Sequence, residues 1–249
     1  MQSLTQIAEY LNNYLRVGDF PHDLNGIYRS SERLVSRIGL ALEPFPDLEH
    51  WVDTYSLDAV CLHRPWKLEM TPALNRACIG FLAYHLPFDE RLTTGYNPFL
   101  ASALGMSNLQ AFGEKDGRPI GMVGDLFPVG FNQLRSQLVQ EFNGEETTLA
   151  GIKNPIKRLA VAGAMTSDLV NQAAQLQADA YLTGQWRKDA YPAILSHGLA
   201  LFATGHHRCE MWGLKALGQV LQQQWGSLKV FVYDKEFPEK NAQIGAFSS

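Results

Sequence analysis

Residues 198–217 read GLALFATGHHRCEMWGLKAL. Gly198 to Thr204 is a short apolar run, Gly205 breaks it, and Met211 to Leu221 resumes with apolar residues at helical spacing. The segment therefore reads as a buried strand that empties into a polar turn and then into a helix. His206 and Glu210 fall at that turn, just beyond the carboxyl end of the strand. In an α/β sheet this is the edge where loops are free of packing duty and ligands bind. Where the turn is helical, a spacing of four puts the imidazole and the carboxylate on one face. There they either grip a cation between them or share a solvated hydrogen bond.

A second pair of the same kind lies earlier. Residues 74–89, LNRACIGFLAYHLPFD, run through an apolar strand to His85, with Asp89 four residues on. His206 follows His85 by 121 residues, and Glu210 follows Asp89 by the same 121. That shift also aligns Leu57–His63 (LDAVCLH) with Ala178–Gly184 (ADAYLTG), so that Asp58 meets Asp179, Ala59 meets Ala180, Leu74 meets Leu195 and Phe81 meets Phe202. The five identities among 23 aligned positions exceed the roughly one or two that ordinary composition supplies. They fall where a repeated βα unit needs them, so the chain reads as a degenerate internal duplication.

At 249 residues the chain is long enough for two such lobes. Charged residues make up 18% and the net charge is −4, which provides neither the Lys and Arg excess that nucleic acid demands nor a basic face for a membrane. No apolar run approaches the ~20 residues of a membrane span, and MQSLTQIAEYLNNYL is an amphipathic helix without a basic lead or cleavage site. Cys61, Cys78 and Cys209 are odd in number and scattered, which argues for reduced thiols and a cytoplasmic protein. Cys209 lies between the two candidate ligands, but nothing repeats it in the other lobe, so it reads as a small residue on the far side of the turn.

In chain order the expected strands are Ser36–Leu42, Leu57–Leu62, Ile79–Tyr84, Arg158–Val161, Ala180–Thr183, Leu199–Ala203 and Leu228–Tyr233. Helices are expected over 47–55, 71–77, 91–104 with its Gly95 turn, 131–142, from Thr166 and Ser167 to Leu176, and 189–196. The alternation predicts an α/β fold of two intertwined, duplicated lobes with mainly parallel sheets and flanking helices. Residues 1–104 form the first lobe, 105–150 a connecting segment with a strand pair around Ile120–Val129, and 151–249 the second lobe, ending in a polar, loose tail after Pro238. Thr166 and Ser167 behind AGAM serve either as plain helix caps or as the rim of an anion site.

All the strand ends with His then fall on one edge. They gather His63, His85, Asp89, His206 and Glu210, a set of imidazoles and carboxylates that suits zinc, iron, manganese or nickel. Five such groups allow two metals bridged by a carboxylate or one metal with an open position. His22, His50 and His197 read as solvated side chains, and His207 as a neighbour that orients the ligands.

The motifs LHRPW (62–66), YHLPFD (84–89), GHHRCE (205–210) with GLKAL behind it, and the LNGIY turn (24–28) resemble those of the NGG-interacting factor family, the GTP cyclohydrolase I type 2 homologues. The resemblance covers nearly the whole chain. It implies two intertwined α/β lobes in a toroidal homohexamer, with a dinuclear divalent transition-metal site, zinc or iron, held by His63, His85, Asp89, His206 and Glu210. Where the family has two histidines before the proline, this chain has His63 followed by Arg64. Guanidinium stays protonated and cannot ligate, so Arg64 is expected to stand in for one cation or to receive an anionic group of the substrate, leaving one or two metals per chain.

A metal that lowers the pKa of water toward ~7 makes hydrolysis the open chemistry. The resemblance implies attack at C8 of the guanine ring of GTP with release of formate, and Glu210 and His207 are the candidates to shuttle the proton. The alternatives are a metal-dependent phosphoesterase and a non-catalytic metal-binding ring protein that acts as scaffold or regulator.

Overall fold

The computed structural model of the chain describes residues 1–235. Its first elements are α1 (Leu4–Tyr14), β1 (Gly26–Arg29), β2 (Arg37–Ala41), α2 (Leu48–Tyr55), β3 (Ala59–Leu62), α3 (Pro72–Arg76), β4 (Gly80–Ala83), α4 (Leu86–Leu92) and α5 (Pro98–Ala103). There follow β5 (Ser107–Lys115), β6 (Arg118–Val129), α6 (Phe131–Phe142), β7 (Thr147–Leu149), β8 (Ile156–Ala162), α7 (Ser167–Gln175), β9 (Ala180–Thr183), α8 (Tyr191–His197), β10 (Ala200–Ala203), α9 (His206–Gln224) and β11 (Lys229–Val232). The tail after Pro238 lies outside the described residues.

The chain divides into two units, one of Met1–Phe88 with the stretch from Leu214 onward, the other of Asp89–Gly213. The first unit is thus built from two separated stretches of chain, with the second unit between them in sequence. Residues 105–150, expected as a connector, supply β5, β6, α6 and β7, and all three of these strands belong to the second unit's sheet.

The first unit holds a five-stranded sheet in the order β1-β4-β3-β2-β11, the second a six-stranded sheet in the order β5-β6-β8-β9-β10-β7. Strands β4, β3, β2 and the edge strand β11 run parallel, as do β8, β9 and β10, while β1, β7 and the β5–β6 hairpin are antiparallel to their neighbours. Strands β3, β4, β9 and β10 are buried at every position, as strands covered on both faces must be. In the first unit Trp51, Val52 and Leu74 pack on Val60, Leu62 and Phe81. In the second, Leu169, Val170, Ala173 and Ile194 do the same against Ala160, Tyr181 and Leu201. Each fully buried side chain of this size contributes about 1.5–3 kcal/mol.

The duplication is visible in backbone register. Ile38 pairs with Ala59 and Leu159 with Ala180, each residue of the second pair following its counterpart by 121. Asp58 accepts hydrogen bonds from the N–H groups of Ser36 and Arg37, and Asp179 from those of Lys157 and Arg158. Arg37 Nε donates to Tyr55 O, and Arg158 Nε donates to Leu176 O.

At the next strand the register slips by one. Ala59 pairs with Gly80 but Ala180 with Ala200, so the counterpart of Phe81 is Leu201 and not Phe202. The residue is regained at Gly205, whose φ of +97° only glycine adopts without strain, and His206 returns to the 121-residue spacing.

Candidate metal centre

Strands β3 and β4 are parallel neighbours, with Leu62 opposite Ala83. Whatever follows them emerges at one edge, about 4.8 Å apart. His63 is the first residue beyond β3 and His85 the second beyond β4, and their ring centroids lie 5.3 Å apart. His63 is buried and packs on Phe88, with the centroids 4.7 Å apart. Its Nδ1 sits 2.9 Å from the carbonyl oxygen of Tyr84. Because a carbonyl only accepts, Nδ1 carries the hydrogen and the basic lone pair of the neutral ring is on Nε2. Tyr84 is itself anchored, its N–H donating to Leu62 O at 3.2 Å and its hydroxyl to Asn12 Oδ1 at 3.0 Å.

His85 is oriented in the same way by a carboxylate. Its Nδ1 lies 3.0 Å from Asp23 Oδ1, which again leaves Nε2 as the basic nitrogen of the neutral ring. Asp23 also accepts from the N–H of Leu86 at 2.8 Å and from Asn25 Nδ2 at 3.1 Å, while Asn25 Oδ1 accepts from the N–H of His85 at 3.0 Å. Burial works against the charge of Asp23. The hydrogen bonds from His85, Leu86 and Asn25 outweigh it and hold the carboxyl below its ordinary range. Sequence reasoning took this stretch only as a tight turn and missed Asp23 and Asn25 as the residues that position His85.

Asp89 follows His85 by four residues through the first turn of α4, so its place relative to His85 is set by one continuous stretch of chain. One potential ligand atom from each of His63, His85 and Asp89 lies within 4.8 Å of the others. Donors bonded at ~2.1 Å to one ion stand roughly 3.0–3.4 Å apart when adjacent, so side-chain movements of about an ångström suffice to close on a cation.

In the second unit, His206 and Glu210 occupy the start of α9. His206 Nε2 lies 3.0 Å from Glu210 Oε1, and the two side chains are 62% and 1% exposed. The pair therefore joins a buried carboxylate to an imidazole open to solvent. His207, half-buried, is the next residue of the same turn.

The family model for Duf34/NIF3 (NGG1p interacting factor 3) matches residues 3–238. The chain belongs to that family. A GTP cyclohydrolase 1 type 2 homolog from Deinococcus radiodurans is 25% identical over 235 residues, covering 89% of each chain. One of the same name from Pseudomonas aeruginosa is 30% identical over 158 residues, 62% of this chain and 61% of that one. Among solved structures, protein ybgI superposes with a TM-score of 0.71 at 23% identity, covering 94% of this chain and 98% of that one. Reduced HcgD from Methanocaldococcus jannaschii superposes with a TM-score of 0.67 at 18% identity and the same coverage. Both structures share the α/β fold described above.

In this Duf34/NIF3 chain the two halves are not copies of one another at the strand ends. The position 121 residues after His63 is Gly184, and a Cβ there would stand 3.0 Å from Cys209 Sγ and 3.2 Å from Thr94 Oγ1. Cys209 thus fills the space that a side chain at 184 would need. Burial pushes its thiol up to about 11, with hydrogen bonds to Thr204 and Thr94 pulling the other way, so it remains a thiol at neutral pH, with the small packing role expected of it. Thr166 accepts from the N–H of Leu169 at 3.2 Å and caps α7. Arg64 is half-exposed on the loop after β3, its N–H donating to Leu42 O at 2.7 Å.

Proposed function

We propose that the protein is a metal-dependent hydrolase of a nucleotide-like small molecule. His63, His85 and Asp89 hold a divalent transition metal, zinc or iron, and His206 with Glu210 supplies the donors of a second cation position. The observation that carries this reading is the pair of tied-off imidazoles. Both rings have Nδ1–H fixed on an acceptor, so each offers Nε2, and both stand with a carboxylate in one group. A donor set of nitrogen and oxygen with one carboxylate suits a borderline metal more than calcium or magnesium. Such an ion, when bound, lowers the pKa of water and polarises a carbonyl or phosphoryl oxygen.

The chain's own groups do the rest. The Tyr84 carbonyl and Asp23 keep the two imidazoles in the tautomer that binds metal. When no second cation is bound, Glu210, a carboxylate out of water with the His206 imidazole on one oxygen, accepts a proton at Oε and passes it toward solvent through exposed His206. His207 beside it is a second candidate for that transfer. Arg64 receives an anionic group of the substrate. The named activity of the relatives makes GTP the first substrate to test. Formate release by metal-loaded protein, abolished in His206→Ala, is the expected result, and turnover unaffected by that substitution contradicts it.

A second reading is favoured by the chemistry of residue 64, since the guanidinium of Arg64 stays protonated and cannot ligate a second ion. On that reading the protein is a non-catalytic metal binder acting as scaffold or regulator. It requires full metal occupancy without turnover of GTP, other nucleotides or phosphoesters. An Arg64→His variant separates the metal counts, since a gain over the parent identifies 64 as a lost ligand position. Self-association is part of the proposal: a homohexamer gives a light-scattering mass six times the 27.8 kDa of one chain.

A further inference from the structure

Two acids stand side by side in α4, Asp89 and Glu90, and only the first belongs to the group of potential metal ligands. Glu90 is engaged elsewhere. Arg118 Nε donates to its Oε2 at 2.9 Å and Arg118 Nη2 to its Oε1 at 3.2 Å, a two-pronged fork between side chains that are each 13% exposed. Asp116 Oδ2 lies 3.4 Å from the same Nη2, but its side chain is 71% exposed and adds little.

The fork joins Glu90 to a residue 28 positions further along the chain. Its guanidinium sits on a rigid mount. Lys115 pairs with Arg118 across the two-residue turn Asp116–Gly117, whose φ values of +51° and +74° suit the twist of a tight hairpin. From Arg118, β6 runs on into the sheet through its pairing with β8. The helix it grips is the opposite case, since α4 is seven residues long and too short to hold itself.

Bonds around Asp89 pass the grip on. The Thr93 hydroxyl donates to Asp89 O at 2.6 Å, and Asn97 Nδ2 donates to Thr93 O at 3.0 Å. Gly95 lets the backbone lie close against Glu90, where a Cβ would stand 2.3 Å from Glu90 O. The Asp89 carbonyl and both the main chain and the side chain of Glu90 are therefore fixed, which leaves the Asp89 carboxylate its own χ torsions and little else.

We propose that Arg118 is a positioning residue for the metal ligand Asp89: its fork on Glu90 anchors α4 to the β5–β6 hairpin, aims the Asp89 carboxylate and withholds the neighbouring acid from the ion. The proposal rests on the metal reading above and deepens it by naming a residue that touches no ion yet sets the geometry of one ligand. A ligand must be held within about 0.5 Å of its working position, and a half-buried pair of this kind is worth more as a fixed point than as stability.

Zinc affinity tests this, read by competition against a chromogenic chelator on the full chain stripped of metal, with His206→Ala present throughout so that one cation position is titrated. Arg118→Gln is expected to bind zinc about tenfold more weakly than the His206→Ala parent. Combined with Asp89→Asn, the same change is expected to alter affinity by less than about twofold, since the group it aims is then gone. Glu90→Gln keeps an acceptor for the guanidinium and is expected to lose about threefold. Paired with Asp89→Asn in the same way, it decides the matter if Arg118→Gln does not fold. Parent-like affinity in both variants overturns the proposal, as does an equal loss with and without Asp89→Asn, which is what a purely structural pair would give. A parent that binds no zinc removes the metal reading itself, and this proposal with it.

Discussion

At the scale of single residues, the candidate site depends on groups that touch no ligand. Asp23 lies 62 residues before His85, yet it sets the ring's tautomer and holds the N–H of Leu86. Such an orienting carboxylate is worth about 10–100-fold in metal affinity. Asp23→Ala is therefore expected to weaken binding by that order in a competition titration while leaving the fold intact by circular dichroism, and unchanged affinity would remove Asp23 from the account. Of the three residues that the structure groups, His85 and Asp89 were legible from the 121-residue spacing and His63 from its place at a strand end. Asp23 and Asn25 were not, because contacts made by folding leave no periodicity in the chain, and the LNGIY turn announces a bend without saying what its side chains reach. Asp58 shows another facet of the same limit. Burial disfavours its charge, but the Ser36 N–H and hydroxyl, the Arg37 N–H and Arg33 more than compensate, so its carboxyl lies below the ordinary range. A depressed folded value means that its stabilisation is complete above about pH 4 and is lost as pH falls through that folded value. Asp58→Asn is expected to cost about 1–3 kcal/mol at neutral pH. Its unfolding free energy is also expected to fall less than the parent's on going from about pH 5 to about pH 2.

At the scale of elements, burial decided what could be read. Strands β3, β4, β9 and β10 are apolar at nearly every position and stood out in the sequence, and α6 (Phe131–Phe142) falls on its expected bounds. β1 has one buried residue in four and β5 one in nine, so these strands are defined by their pairing partners and not by hydrophobic pattern. The helix expected over 91–104 divides into α4 and α5. The Asn97 side chain caps Leu100 N and Pro98 starts a new helix, while a Cβ on Gly95 would strike Glu90 O at 2.3 Å. The one-residue slip between the halves leaves Cys78 at φ +52° where the second half has Gly198 at φ +62°. Cys78 is exposed, and its backbone pays for a left-handed conformation that glycine adopts freely. Cys78→Gly is therefore expected to raise stability by up to about 1 kcal/mol. Gly198→Ala, whose Cβ would stand 2.6 Å from Ile152, is expected to lower it by about 1–3 kcal/mol. Chemical denaturation of both variants checks the pair, and a change of the same sign in both contradicts the structural equivalence of the two turns.

At the scale of the whole molecule, the sequence conveyed the α/β class, the duplication and, in the first unit, the sheet edge that carries His63 and His85. His206 follows β10 of the other sheet, so the single edge expected for all the histidines is two. The sequence did not convey that the stretch from Leu214 onward returns to the first unit, where β11 pairs with β2 through matches such as Val230 with Ile38. Long-range parallel pairing of that kind carries no local signal. Among the described residues no helix is long and apolar enough to cross a membrane. Both functional readings, hydrolase and non-catalytic metal binder, depend on a divalent transition metal being held by His63, His85 and Asp89. The direct test is elemental analysis of protein purified without a chelating tag, compared with a His63→Ala/His85→Ala variant. One to two equivalents of zinc or iron per chain in the parent, with the equivalent held by His63, His85 and Asp89 absent from the variant, is the expected result. A parent without stoichiometric transition metal, or a variant that retains the parent's full count, would contradict the account.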